Sequence, residues 1–170
     1  QSTVRLRPLL ENEIARKLVS VEDFQDRSTV TILGDGLFES GSAQIQDQYY
    51  PVLARVSQAL DSVEGQIVVT GYTDNQPIQS LNFPSNWHLS QARADAVKEI
   101  LLNYIKNGGA RIRSEGRGST DPVAPNGTLE NRAKNRRVEI TLFTTGTGPK
   151  LGSAVEVKTN HSPTQPSSDV

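Results

Sequence analysis

A β-branched run, Gln66-Ile67-Val68-Val69-Thr70, stands between two stretches with helical periodicity, and this constrains the fold more than any other feature of the chain. On one side, Tyr50, Leu53, Ala54, Val56 and Leu60 recur at the spacing of one helix face, over Asp47–Leu60. On the other, Leu89, Ala92, Ala96, Val97, Ile100, Leu101 and Tyr104 form a second stripe, predicting a long helix over 86–106. Ser85 or Asn86 can cap that helix, and Gly108-Gly109 can end it. Gly65 reads as the stop of the first helix. A run this rich in β-branched residues suits a buried strand.

The remaining elements extend the same alternation. Leu6, Leu9, Leu10, Ile14 and Leu18 predict an N-terminal helix. Val19–Phe24 and Thr29–Leu33 alternate as two strands around Asp26-Arg27, and Gly34-Asp35-Gly36 reads as a loop. Arg111–Glu115 and Val138–Phe143 read as further strands, with a helix over 129–135 between them. Strands alternating with helices predict an α+β fold, an α/β sandwich with helices packed on a mixed sheet.

Composition divides the chain and narrows its chemistry. From Gly146 to Val170, 13 of 25 residues are Gly, Pro, Ser or Thr. Such a tail cannot bury enough surface to offset its ordering entropy, so it is expected to be disordered. The expected organisation is a leading helix and short strand over 1–27, the main domain over 28–145, and this tail over 146–170. Eighteen basic against 19 acidic residues leave a net charge of −1, without the basic field of a general nucleic-acid binder. No Cys is present, which removes thiol catalysis, Cys-zinc sites and disulfides. Two histidines, His88 and His161, leave few parts for a metal site or a catalytic triad, so no metal, cofactor or catalytic residue is expected. No apolar run approaches the ~20 residues a bilayer helix needs. The chain also lacks Met, as expected of a processed product or excised fragment, so any membrane anchor of the parent would lie upstream of Gln1.

One residue does not fit its surroundings. Arg93 is four residues after Leu89 and four before Val97, on the apolar stripe of the long helix. A guanidinium there is costly unless a carboxylate or another acceptor satisfies it. Asp74, just after the 66–70 strand, is the nearest candidate, since strand end, loop and helix start converge in such a unit. Two readings are open. The pair can clamp the loop to the helix. Alternatively, it can hold a zwitterion, with Asp74 on an ammonium and Arg93 on a carboxylate through a bidentate fork. The weaker candidates have ordinary explanations. His88 is expected to be exposed. Trp87 reads as an apolar anchor, and Gly116-Arg117-Gly118 as a turn without the lysine of a phosphate loop. Arg132, Lys134, Arg136 and Arg137 read as a solvated helix face.

Four segments in order carry a resemblance: Gly71-Tyr72-Thr73-Asp74-Asn75, Asn86-Trp87-His88-Leu89-Ser90-Gln91-Ala92-Arg93-Ala94, Glu115-Gly116-Arg117-Gly118 and Asn131–Glu139. Over about residues 28–143 the chain resembles the OmpA-like (OmpA/MotB C-terminal) peptidoglycan-binding domain. The resemblance implies a βαβαβ core with helices on one face of a mixed sheet. It also implies non-covalent binding of the diaminopimelate residue of the peptidoglycan stem peptide. By motif position Asp74 and Arg93 would hold the ligand, with Thr73, Asn75 and Leu89 beside them. Asn86, Arg136 and the Phe38–Gly41 loop, with Ser40 and Gly41, would surround it.

Two departures accompany the resemblance. Tyr72 stands where most relatives carry His, and it is expected to shape the pocket wall. The loop between Asp74 and Asn86 is long, as in the inner-membrane branch of the family. That branch includes flagellar stator proteins and TssL-type domains of type VI secretion. The segments Gly34–Ala43 and Pro122–Thr128 look most like the TssL type. This implies a periplasmic domain of a Gram-negative inner-membrane protein that anchors a secretion complex to the wall. Its partners would be peptidoglycan and other proteins of that membrane complex. Homodimerisation is open, because an exposed edge of a mixed sheet could pair.

Overall fold

The computed structural model describes residues 5–78 and 82–144. A 3-10 turn at Arg7–Leu10 leads into α1 (Glu11–Ala15), followed by β1 (Ser20–Asp23) and β2 (Arg27–Leu33). A single helical turn, α2 (Gly34–Leu37), follows, then α3 (Tyr50–Asp61) and β3 (Gly65–Tyr72). The chain continues through α4 (Asn86–Leu102), α5 (Gly108–Arg111), β4 (Ile112–Gly116), α6 (Leu129–Asn135) and β5 (Arg137–Thr144). The strands form one sheet in the order β1-β2-β5-β3-β4. Only β3 and β4 run parallel, joined by the α4 crossover, so the sheet is mixed as expected.

The pleat assigns each strand residue to a face. Val30 and Ile32 of β2, Ile67 and Val69 of β3, and Val138, Ile140 and Leu142 of β5 point to one side. There they form a single core with Val52, Leu53, Val56 and Leu60 of α3 and Ala94, Val97 and Leu101 of α4. The N-terminal segment joins this core through Leu6, Leu10, Val19 and Val21. Its backbone is held by Asp23, whose carboxylate accepts the N–H groups of Leu6 and Arg7. Among the described residues no helix covers the opposite face of the sheet, where Thr29 and Thr31 are half-exposed. Among the described residues no helix is long and apolar enough to cross a membrane.

Several boundaries differ from the sequence expectation. The N-terminal helix splits at Leu10, whose backbone leaves helical geometry, and it ends at Ala15 instead of continuing through Leu18. The α3 helix stops at Asp61. Gly65 therefore does not end it but opens β3, at a φ of 140°. The α4 helix ends at Leu102, so Gly108 begins the short α5 turn instead. The Gly34-Asp35-Gly36 loop winds into α2. The 146–170 tail lies outside the described residues.

The start of α4 positions the chemistry, and Ser85 is its cap. Ser85 is 2% exposed, and its hydroxyl accepts the His88 backbone N–H at 3.3 Å. Ser85→Ala is expected to cost about 1 kcal/mol, the usual worth of an N-cap. Urea denaturation checks this: the midpoint should fall with the slope unchanged, and an unchanged midpoint would refute the capping role.

Candidate functional site

Asp74 lies two residues beyond the end of β3, at the end of the sheet nearest the start of α4. Its backbone is fixed before its side chain is used. The Thr73 N–H donates to Gly118 O at 2.8 Å, and the Thr73 hydroxyl donates to Asp74 O at 2.8 Å. Asn86 Nδ2 donates to Gln76 O at 2.8 Å and to Asp74 O at 3.5 Å, tying the loop to the first turn of α4. Asp74 Oδ1 accepts the Gln76 N–H at 3.0 Å, the local turn expected of an Asp that has just left a strand. Asp74 Oδ2 faces inward and accepts from Arg136 Nη1 at 2.5 Å.

Arg93 is 5% exposed, and among the described residues no carboxylate forms a salt bridge with it. Its Nε donates to Ser42 O at 2.8 Å and its Nη2 to Glu39 O at 3.2 Å. Its guanidinium carbon stands 4.7 Å from the centroid of the Phe38 ring. Of the two open readings, the direct Asp74–Arg93 clamp is not formed: Asp74 pairs with Arg136, while carbonyls and an aromatic face cradle Arg93. Burial pulls the Arg93 guanidinium down to about 10, with Arg136 adding to the shift and Asp35 and Asp74 opposing it. It remains cationic at neutral pH, and neutral acceptors leave its charge uncancelled.

These groups meet in one depression of about 890 Å³. Asp74, Arg93 and Arg136 supply its charges, and Thr73, Asn86, Ser40 and Gly41 supply polar surface. Leu89 with Phe38, Pro77 and Ile78 supply apolar wall. Of the nine residues expected to hold or surround the ligand (Ser40, Gly41, Thr73, Asp74, Asn75, Asn86, Leu89, Arg93 and Arg136), Asn75 alone lies outside this lining. It is exposed, and its Oδ1 accepts from Gln76 Nε2 at 2.9 Å.

Asp35 also lines the depression, and sequence reasoning passed over it as part of a glycine loop. Arg136 Nε and Nη2 each donate to its carboxylate at 2.8 Å. Those hydrogen bonds hold the Asp35 carboxyl below its usual range, and the same contacts raise the Arg136 guanidinium. Asp35, Asp74, Arg93 and Arg136 together carry no net charge. Such a site can receive an ammonium beside Asp74 and a carboxylate beside Arg93 without leaving a buried charge uncompensated.

Two further expectations change. Arg136 and Arg137 do not belong to a solvated helix face. Arg136 joins α6 to β5 and Arg137 opens β5; they point to opposite sides of the sheet, Arg136 into the depression and Arg137 under the loop at 117–126. Tyr72 does not shape the pocket wall. Its ring lies on the helix-free face, with the Arg137 guanidinium carbon 3.8 Å from its centroid. Gly116 and Gly118 serve packing: Gly118 N–H donates to Ser90 Oγ at 2.9 Å, pinning the loop to α4. His88 is exposed as expected. Its Nδ1 is 2.8 Å from Ser85 Oγ, a contact within the helix cap.

The chain and its fold are similar to known proteins. The family model described as "OmpA family" matches residues 37–136. The structure of the cell wall anchor of the T6SS from Pseudomonas aeruginosa is 50% identical, with a TM-score of 0.80. That match covers 84% of this chain and 99% of the other. The periplasmic domain of Helicobacter pylori MotB (residues 90–256) is 30% identical, with a TM-score of 0.68 over 87% of this chain and 93% of that domain. Motility protein B of Bacillus subtilis (strain 168) is 35% identical over 138 residues, which is 81% of this chain and 51% of that protein. The chain thus spans about half the length of the curated relatives it matches.

Proposed function

This chain belongs to the OmpA family, and on that premise we propose that it is a non-catalytic wall anchor. Its depression takes the free end of the diaminopimelate side chain in a peptidoglycan stem peptide. Asp74 accepts the ammonium and Arg93 donates to the carboxylate. Arg136 and Asn86 line the rim, and the Ser40-Gly41 turn closes one side. One observation carries the reading. Arg93 is a buried guanidinium held by carbonyls, with its charge left for an anion, and it shares a depression with an inward-facing carboxylate. A diaminopimelate end presents both opposite charges on one carbon, which matches that arrangement. Mutual orientation, not area, makes such a site selective.

The setting we infer is a periplasmic domain of an inner-membrane protein that fixes a type VI secretion membrane complex to the wall. Identity of 50% to a secretion-system wall anchor supports this over a flagellar stator, for which the identities are 30% and 35%. Both settings share the wall-binding step.

A pull-down on isolated diaminopimelate-type peptidoglycan tests the reading. The chain should be retained, Asp74→Ala and Arg93→Ala should remain folded yet pass through, and no soluble fragments should be released. Failure of the unmodified chain to bind would overturn wall anchoring. Retention of both variants would overturn the site. Release of fragments would overturn the non-catalytic assignment.

A further inference from the structure

We propose that Asp35 sets the charge selectivity of the depression, making it prefer a ligand end that carries ammonium and carboxylate together over an end that carries either alone. The inference rests on the wall-anchor reading and adds a specificity-determining residue to it. Its basis is how Arg136 is shared. Two of its nitrogens fork onto Asp35, each at 2.8 Å, and the third reaches Asp74 at 2.5 Å. A fork of this kind fixes orientation as well as distance.

The fork is built on fixed backbone. Gly34 N–H donates to Arg136 O at 2.7 Å, and the adjacent Leu33 and Arg137 are register partners in the β2–β5 ladder. Asp35 and Arg136 are therefore neighbours by virtue of the sheet, although 101 positions separate them.

The selectivity follows from counting charge. With Asp35 ionised, most of the Arg136 charge is spent on it, and Asp74 keeps negative charge for an incoming ammonium. Arg93 keeps its positive charge for the neighbouring carboxylate. Without Asp35 the guanidinium of Arg136 would bear on Asp74 alone and compete with the ammonium. The depression would then carry a net positive charge and favour a bare carboxylate.

Calorimetry of the full chain with three tripeptides, L-Ala-γ-D-Glu-X, tests this. X is meso-diaminopimelate, L-lysine (distal ammonium only) or 2-aminopimelate (distal carboxylate only). The unmodified chain should bind the diaminopimelate peptide most tightly. Asp35→Asn should weaken the diaminopimelate and lysine peptides by about tenfold, the worth of one interaction with a charged group, and tighten the 2-aminopimelate peptide. Asp35→Glu should restore the original order, and Asp35→Ser gives the same charge change if the Asn variant does not fold. An unchanged ratio among the three peptides in Asp35→Asn would overturn the inference while leaving wall binding intact. If the unmodified chain binds none of the three, the wall-anchor reading fails and this one fails with it.

Discussion

Gly71→Ala is expected to lower stability by about 3 kcal/mol, at the upper end of overpacking costs. It is also expected to abolish retention on peptidoglycan. A Cβ at Gly71 would stand 2.2 Å from the backbone oxygen of Ser90 in α4. Its register partner Gly116 is just as tight, with a Cβ 2.3 Å from the backbone nitrogen of Gln91. The obstacle in both cases is backbone, which cannot rotate away as the end of a side chain can. Helix α4 must therefore lift off β3 and β4 at the point where it carries Asn86, Leu89 and Arg93. A lift large enough to relieve a 2.2 Å approach would draw Arg93 from the carbonyls of Glu39 and Ser42 and dissolve the cradle. Gly109→Ala is the control, because a Cβ there meets nothing within 4 Å. Chemical denaturation of the two variants decides the matter. Equal midpoints would show that α4 does not depend on the two close approaches.

The same contact explains what was legible in the sequence and what was not. Periodicity located α3, α4 and β2, because each buries one face and its apolar residues repeat accordingly, and the β-branched run located β3. It could not show that the N-terminal helix breaks at Leu10, since the apolar spacing runs through the break. Nor could it place Gly65. A glycine after a helix and a glycine at the start of a strand look alike until the opposing Phe143 backbone is seen, 2.1 Å from where a Cβ would be.

At the site, Asp74 and Arg93 were legible because a charge on an apolar stripe requires an explanation. The clamp reading failed because Arg93 found carbonyl acceptors in the 39–42 segment, far away in sequence. Tyr72 was misplaced for a reason available beforehand. Gly71 faces α4, so the next residue on the pleat must face the other side of the sheet. Asp35 was illegible in a different way. It is exposed in a glycine-flanked turn, and its partner is supplied by β5 across the ladder. No local pattern announces such a pairing, although an acid directly after a strand invites the question.

Arg93→Lys should reduce binding of the diaminopimelate peptide by about 100-fold while the chain stays folded, the upper worth of a hydrogen bond to a charged group, because a point charge cannot replace the guanidinium fork. Arg93 spends two nitrogens on Ser42 O and Glu39 O, and its Nη1 has no hydrogen-bond partner among the described residues. The planar fork lets one side chain be positioned by the protein and face the ligand at once. A lysine ammonium is a single centre that cannot span both carbonyls and still reach the depression. At 5% exposure it would also be desolvated, and burial of a lysine favours the neutral amine.

The consequence should appear in pH dependence as well as affinity. Burial brings the Arg93 group to about 10, so its positive charge persists throughout the neutral and mildly alkaline range. Binding by the unmodified chain should be flat from neutral pH to about 9, as for any buried arginine shifted only this far. The lysine variant should lose its residual binding at lower pH, as its amine gives up the proton. Calorimetry across that range separates the roles. A residue that only packs α4 against the Phe38–Ser42 segment would give a reduced but pH-independent affinity. A residue whose charge meets the ligand carboxylate makes the remaining affinity titrate, and restoring the guanidinium should remove the titration.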